Sequence, residues 1–184
     1  ALGFAQYLGK KFELGLIRNH YVGRTFIEPS QKIRSLGVKL KLNANQSTIQ
    51  NKKIILIDDS LVRGTTSHKI VKMLYEAGAK EVHVRIACPE IKFPDFYGVD
   101  MPTKKELLAN EKTIEEMCLH IRAKTLKFLT LDGLYKALGK GERNNAYPQF
   151  SDHYFTGDYP IKPEDSLNEL KVTQLSLLSS KSNN

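Results

Sequence analysis

The chain has 184 residues, of which 41% are hydrophobic and 26% are charged, and its formal net charge is +8 at pH 7. These values allow one packed domain and exclude a wholly disordered chain. We expect no membrane span, because no apolar run approaches roughly 18 residues, and no secretory signal. Cys88 and Cys118, the only cysteines, lie in a strand-like and a helix-like run, so we expect reduced thiols in a cytoplasmic protein.

The first 50 residues contain one predicted helix, one predicted strand and a long irregular stretch. Residues 1–9 read as a helix that ends at Gly9, and Glu13–Ile17 reads as a short strand. The stretch from Arg18 to about Asn51 is basic and has no regular hydrophobic period. Such a long stretch in a compact protein is typical of a lid or a long hairpin. Its positive charge suits either nucleic acid or a polyphosphate substrate.

The middle of the chain has the pattern of a βαβ unit. The apolar run Lys53–Asp58 predicts a strand that is covered on both faces, as in a parallel sheet. A helix is expected to follow, with Thr65 or Thr66 as its N-cap and its end near Ala77. Glu81–Cys88 is predicted to be the next strand. We therefore predict an α/β fold with a parallel sheet flanked by helices.

The sequence signals for the remaining elements are weaker. Pro89–Thr103 is predicted to be an ordered loop, and the capping box Thr113-x-x-Glu116 to begin a helix that ends near Ala123. A strand at Leu126–Leu129 is expected, and then a last helix that ends at Gly139, with one apolar face made of Leu131, Leu134, Tyr135 and Leu138. We assign residues 1–140 to one domain and 141–184 to a C-terminal extension, of which roughly the last 20 residues are expected to be mobile.

The segment Ile54–Thr66 is the part that points to chemistry. Asp58 and Asp59 follow a buried strand at the end where ligands bind in open α/β sheets. Gly64 then allows a close turn into a helix N-terminus, where backbone N–H groups and threonine hydroxyls can hold a phosphate. The carboxylates suit ribose hydroxyls or a Mg²⁺ ion on a pyrophosphate. The alternative is a generic βα turn with an aspartate N-cap.

Asp58–Thr66 resembles the loop that binds 5-phosphoribosyl-1-pyrophosphate (PRPP) in type I phosphoribosyltransferases. Four further segments are similar to amidophosphoribosyltransferases, also called glutamine PRPP amidotransferases: Leu14–Ile27, Pro29–Arg34, Val38–Asn43 and Phe93–Thr103. The resemblance extends from Ala1 to about Gly139. It implies the type I phosphoribosyltransferase fold, in which residues of about 18–51 form a flexible flag loop that closes over PRPP and excludes water.

The reaction implied by this resemblance is the displacement of pyrophosphate from C1 of PRPP by glutamine-derived ammonia. The product is 5-phosphoribosylamine, in the first step of de novo purine biosynthesis, and the enzyme is a glycosyltransferase. Asp58 and Asp59 would then bind the ribose diol and Mg²⁺, and the 5-phosphate would be held by Ser60, Leu61, Val62, Arg63, Gly64, Thr65 and Thr66. The catalytic candidates are two flag-loop residues, Arg24 on the pyrophosphate and Tyr21 over the ribose, and further cations are Arg18, Lys32, Arg34, Lys39 and Lys41.

Several expectations concern what accompanies this reaction. The family's glutaminase half and its pyrophosphate-binding turn have no counterpart in this sequence, so we expect the isolated chain not to hydrolyse glutamine. Some relatives carry a [4Fe–4S] cluster on cysteines, where this sequence has Asp95, Ser151 and Tyr154. Because cluster ligation needs thiolates, we expect no iron–sulfur cluster here. Purine nucleotides as feedback inhibitors and a homo-oligomeric assembly are also implied.

Two other interpretations stay open on the sequence alone. A phosphoribosyltransferase that acts on a nucleobase would share the loop Asp58–Thr66. A non-catalytic module of the same fold would bind nucleic acid through the basic first quarter, but no recognition helix or array of stacking aromatic residues supports this. We therefore expect neither nucleic acid nor a membrane as a partner.

Overall fold

The computed structural model describes residues 1–19, 42–99 and 103–161. In chain order, the elements are α1 (Leu2–Tyr7), β1 (Leu16–Arg18), β2 (Leu42–Ala44), α2 (Gln46–Ile49), β3 (Lys53–Asp58), α3 (Thr65–Glu76), β4 (Glu81–Ile86), a 3-10 helix (Lys104–Glu106), α4 (Leu108–Glu111), α5 (Ile114–His120), β5 (Thr125–Phe128), α6 (Leu131–Ala137) and α7 (His153–Thr156). No helix among the described residues is both long and apolar enough to cross a membrane.

Three parallel strands form the central sheet, in the order β3, β4, β5. Apolar residues alternate along the middle strand, so that Val82, Val84 and Ile86 are buried on one face. Helices α3 and α5 cover this face, and Val71 and Met117 are completely buried there. The predicted α/β fold with a parallel sheet flanked by helices is confirmed.

The second face of the sheet differs from the prediction for β3. We expected this strand to be covered on both faces, but the Ile55 side chain is 41% exposed in the described part of the chain. On the neighbouring strand this face is polar, with His83 hydrogen-bonded to both Glu81 and Thr125. Four consecutive apolar residues in β3 therefore did not require burial of both faces. On one face, the residues of the neighbouring strand are polar.

The long irregular stretch is bordered by two paired strands. Strand β1 pairs with β2 in antiparallel register, with Ile17 opposite Asn43. The strand predicted at Glu13–Ile17 begins too early. Helix α2 was also not predicted, because a four-residue helix held by one buried side chain, Ile49, gives no periodic signal.

Several predicted helix and strand ends are shifted. Helix α3 ends at Glu76, one residue before the predicted end, and its N-cap is Gly64 instead of a threonine. Strand β4 ends at Ile86 rather than Cys88, and β5 spans Thr125–Phe128 rather than Leu126–Leu129.

The capping box at the start of α5 is confirmed. The Glu116 N–H donates to the Thr113 hydroxyl at 3.2 Å, and the Thr113 N–H donates to the Glu116 carboxylate at 2.8 Å. The helix ends at His120, before the predicted Ala123, because Arg122 has a left-handed backbone with φ of 59°.

The described part of the C-terminal extension, residues 141–161, is folded, and the residues predicted to be mobile lie outside the described residues. It contains α7, so the prediction that the helix before Gly139 is the last one was wrong. The apolar face predicted for α6 is also only partly correct, because Tyr135 is buried but Leu138 lies beyond the helix and is 52% exposed. The Arg143 side chain ties the extension together by ion pairs to Asp152 at 2.6 Å and to Asp158 at 2.7 Å.

Candidate functional site

The loop from Asp58 to Thr66, called the site loop below, begins at the carboxyl end of β3. The carbonyl of its first residue, Asp58, accepts a hydrogen bond of 2.9 Å from the N–H of Ala87, the residue that follows β4. The Asp58 carboxylate accepts the Asp59 N–H at 3.1 Å, and the Asp59 carboxylate accepts the Ser60 N–H at 2.8 Å. Both carboxylates are thus held by the local backbone beside each other.

The electrostatics of the Asp58–Asp59 pair favour the binding of a hydrogen-bond donor or a cation. Burial raises the pKa of Asp58, and the neighbouring charge of Asp59 raises it further. Two adjacent carboxylates repel each other, so hydroxyl donors or a divalent ion between them relieve the repulsion. The pair can therefore bind a diol, a metal ion or both.

The other end of the site loop is the N-terminus of a twelve-residue helix. Gly64 caps α3 with a left-handed backbone, φ of 75°, and no side chain occupies the cap. Thr65 and Thr66 lie in the first turn. The N–H groups of a first helical turn have no partner within the helix, and the helix dipole makes this end positive. Because Gly64 rather than a threonine is the cap, both threonine hydroxyls are left for a bound phosphate.

Three residues between these two ends contact other parts of the molecule. Leu61 is 2% exposed and belongs to the hydrophobic core. The Val62 carbonyl accepts the Leu108 N–H at 2.9 Å, and the Arg63 side chain contacts Glu106 at 3.2 Å. Any role of Leu61 in ligand binding is therefore played by its backbone.

Cys88, Leu108 and His120 also surround the site loop, although the sequence did not indicate them. Burial and the charges of Asp59 and Asp58 raise the pKa of the Cys88 thiol to about 11, so this thiol stays protonated at neutral pH. Leu108 and His120 pack behind Gly64. Cys88 could have been found, because it follows the strand next to β3, and neighbouring parallel strands end at one edge.

The two catalytic candidates, Tyr21 and Arg24, lie outside the described residues. So do Lys32, Arg34, Lys39 and Lys41. Arg18, at the end of β1, is exposed and pairs with Leu42 in the strand ladder.

The carboxylates of the site loop fit a magnesium ion that arrives with a phosphate ligand. Among the described residues, no group of three or more His, Cys, Asp and Glu side chains could hold a metal on its own. Mg²⁺ is commonly bound by one or two carboxylates together with substrate phosphates and water. Asp58 and Asp59 supply hard oxygen ligands of that kind.

One histidine, His153, is surrounded by Asp95, Ser151 and Tyr154, the residues on which the prediction of no iron–sulfur cluster rests. The Asp95 carboxylate accepts a hydrogen bond from His153 Nε2 at 2.9 Å, and the Ser151 hydroxyl lies 3.0 Å from Nδ1. Tyr154 stacks against the same ring at 4.0 Å between centroids. The histidine and Asp95 side chains are 1% and 0% exposed.

Two clefts lie elsewhere on the molecule. One, of about 490 Å³, lies beside Phe128 and Thr130 after β5, and the other, of about 650 Å³, lies between α1 and the open face of β3. Neither is lined by a residue of the site loop. Both clefts are thus separate from the site loop.

The sequence is similar to that of amidophosphoribosyltransferases from bacteria and plants. It is 58% identical over 181 residues to the protein of Rhizobium etli, and this match covers 98% of the chain and 36% of the relative. It is 53% identical over 165 residues to amidophosphoribosyltransferase 1, chloroplastic, of Arabidopsis thaliana, which covers 90% of the chain and 28% of the relative. No family model matches the sequence.

A solved structure with a similar fold comes from Bacillus subtilis. It is glutamine phosphoribosylpyrophosphate amidotransferase complexed with ADP and GMP, with a TM-score of 0.75 and 48% sequence identity. The match covers 88% of this chain and 35% of that one. The chain thus spans about a third of the length of the proteins that it matches.

Proposed function

This chain belongs to the amidophosphoribosyltransferase family, and from that premise we propose that it is the PRPP-binding part of such an enzyme. The enzyme would be a glycosyltransferase that displaces pyrophosphate from C1 of PRPP with glutamine-derived ammonia. The product would be 5-phosphoribosylamine, in the first step of purine biosynthesis. The observation that carries the proposal is the site loop, with an acid pair at one end and a helix N-terminus without a side-chain cap at the other.

The two ends of the site loop correspond to the two charged ends of PRPP. The first turn of α3 would bind the 5-phosphate through its N–H groups and the hydroxyls of Thr65 and Thr66. Asp58 and Asp59 would accept hydrogen bonds from the ribose hydroxyls and bind Mg²⁺. The ion, when bound, would neutralise charge on the departing pyrophosphate.

The chemical step requires little covalent participation by the protein. Holding the ribose in place lets ammonia approach C1 in line with the departing oxygen, and positioned charges stabilise the departing group. Arg24 would contact the pyrophosphate, and Tyr21 would cover the ribose and exclude water. We name no general base.

Further partners follow from the same premise. The relative from Bacillus subtilis is complexed with ADP and GMP, which supports purine nucleotides as regulators of this enzyme too. Ammonia would come from glutamine. A cytoplasmic location, a homo-oligomeric assembly, binding of Mg²⁺ and the lack of an iron–sulfur cluster stay predictions.

Calorimetry of the chain with PRPP, with and without Mg²⁺, tests this proposal. We expect binding that weakens when the metal is chelated. The double variant Asp58→Asn/Asp59→Asn should lose binding, whereas Asp132→Asn, a matched change at an exposed aspartate of α6, should keep it.

Thermal unfolding provides a second measurement on the same proteins. PRPP at 100 times its dissociation constant should stabilise the chain by about 2.7 kcal/mol. No stabilisation by PRPP with Mg²⁺, together with a steeply salt-dependent stabilisation by RNA, would contradict the enzyme and favour a nucleic-acid binder.

A further inference from the structure

Three contacts join the back of the site loop to residues 103–120, called the supporting segment below. Glu106 forms an ion pair with Arg63 at 3.2 Å. The Leu108 N–H donates to the Val62 carbonyl at 2.9 Å. Gly64 lies so close to the Leu108 side chain that a Cβ atom on Gly64 would be 2.8 Å from Leu108 Cδ2. The three contacts fall on consecutive residues of the loop, immediately before the helix N-terminus.

Glu106 is itself held in a fixed orientation. One carboxylate oxygen accepts hydrogen bonds from the N–H and the hydroxyl of Thr103, both at 3.3 Å, in a capping box. The other oxygen is left for Arg63. The hydrogen bond from Arg63 is also the largest cause that lowers the pKa of Glu106, so the carboxylate is ionised at neutral pH.

We propose that Glu106 is a positioning residue for PRPP binding, which holds the Arg63 side chain at the back of the site loop and so fixes the backbone of Val62–Gly64. This inference rests on the proposed function for its ligand. Arg63 then contributes to binding through its backbone, and its guanidinium is committed to the supporting segment. The backbone that enters the phosphate cradle is fixed before the ligand arrives, which lowers the ordering cost of binding.

A competing arrangement has the opposite consequence for Glu106. If the Arg63 guanidinium turned to the phosphate of the ligand, Glu106 would compete with that phosphate for it. Removing the Glu106 charge would then strengthen binding, while removing the Arg63 charge would weaken it. The sign of the Glu106 effect distinguishes the two arrangements.

The test measures PRPP affinity, with Mg²⁺ present, for Glu106→Gln, Arg63→Gln and the double variant. Both residues are about half exposed, so we expect each single variant to raise the dissociation constant about two- to fivefold. The double variant should have a dissociation constant no higher than that of the single variant with the lower affinity, because both changes break the same contact. Arg63→Lys, which keeps a cation for Glu106, should retain most of the affinity.

Glu76→Gln is the matched control. It breaks another exposed ion pair, to Lys72 at 3.7 Å on helix α3, away from the site loop. We expect unchanged affinity and unchanged loop dynamics for this variant. Equal losses of affinity in Glu76→Gln and Glu106→Gln would overturn the inference, since the effect would then be general to surface charge.

Amide hydrogen exchange of residues 60–66 without ligand separates this inference from the proposed function. Glu106→Gln should increase exchange in this segment, and Glu76→Gln should not. If the parent chain fails to bind PRPP but the exchange difference is present, the proposed function fails and the positioning by Glu106 holds. Unchanged exchange in Glu106→Gln, or tighter binding of PRPP by it, would overturn the positioning role.

Discussion

At Gly64, backbone conformation and packing both require the absence of a side chain. Its φ of 75° lies in the left-handed region, and a Cβ atom would meet Leu108 Cδ2 at 2.8 Å and His120 Cδ2 at 3.0 Å. Leu108 is buried and has little room to move, whereas His120 is exposed. The glycine thus connects the path of the site loop to the hydrophobic core.

We expect Gly64→Ala to lower the free energy of unfolding by about 2–4 kcal/mol, from left-handed strain together with overpacking. Gly139→Ala is the control, because Gly139 has a similar φ of 74° but no atom within 4 Å of its added Cβ. It should cost about 1–2 kcal/mol, from strain alone. Urea unfolding measures the loss of unfolding free energy in both variants. Equal losses would contradict a contribution from packing at Gly64.

The C-terminal extension is an element held by two buried polar contacts. Arg143 pairs with Asp152, whose side chain is 3% exposed and also accepts a hydrogen bond from Tyr135 at 2.8 Å. His153 pairs with Asp95 of the loop that follows β4. The Tyr135 hydrogen bond to Asp152 and the contact of His153 with Asp95 bring the extension against the body of the domain, so the extension is expected to fold with it.

Removing Arg143 should destabilise the extension strongly. Arg143→Ala leaves the buried Asp152 carboxylate with only hydroxyl partners, and the loss of one member of a buried pair typically costs about 3–5 kcal/mol. Lys140→Ala, which removes an exposed cation nearby, should cost far less. Limited proteolysis provides the measurement, and we expect cleavage within residues 141–161 in Arg143→Ala only. Equal resistance of both variants would contradict the role of Arg143.

The contact between Asp95 and His153 should make stability depend on pH in acid. Burial by itself raises the pKa of Asp95, but the Val99 N–H, His153, the Tyr97 N–H and Tyr154 together lower it from 3.8 to about 2. A carboxyl whose pKa is lower in the folded state stabilises the fold above its unfolded pKa. This contribution is therefore complete above about pH 4 and is lost as the pH falls towards 2.

Asp95→Asn isolates this effect. We expect the variant to be less stable than the parent chain at pH 7, and the difference to shrink between pH 4 and pH 2. Other carboxyls with lowered pKa values, such as Glu13 and Glu81, are shared by both proteins and cancel in the difference. Thermal midpoints of the two proteins at several pH values measure this difference. A difference that is constant with pH would contradict the lowered pKa of Asp95.

For the whole molecule, one hydrophobic cluster unites the sheet with α3 and α5. Met117 is completely buried in it, whereas Leu119, two residues later on the same helix, is 76% exposed. We expect Met117→Ala to cost about 2–5 kcal/mol of unfolding free energy, and Leu119→Ala to cost less than about 0.5 kcal/mol. Calorimetric unfolding tests this pair, and similar costs would contradict the assigned core face.

The parts of the fold that could be predicted are those with a local signal. The apolar run before Asp58 and the capping box at Thr113 depend on neighbouring residues, and both are present. Strand β1 was misplaced because its register is set by pairing with β2, on the far side of the long basic stretch. The contact of His153 with Asp95 joins residues 58 positions apart, and no periodicity reports such a contact.

The candidate site was predictable in the same partial way. The acid pair and the close turn at Gly64 could be proposed from the order of residues in the site loop. The orientation of its residues could not be predicted, because Val62 and Arg63 are held by contacts to residues 103–120. Those partners lie more than 40 positions away, and their approach depends on the packing of the core.

The attachment of Val62 and Gly64 to the supporting segment has a consequence for protein engineering. Residues 58–66 are not a portable module, because a graft into another α/β scaffold would carry the ligand-facing groups without Leu108 and Glu106. The Val62 carbonyl would lose its donor, and the glycine turn would lose the surface that it rests on. A successful transplant of PRPP binding would therefore have to include residues 103–120, or a host that reproduces their three contacts.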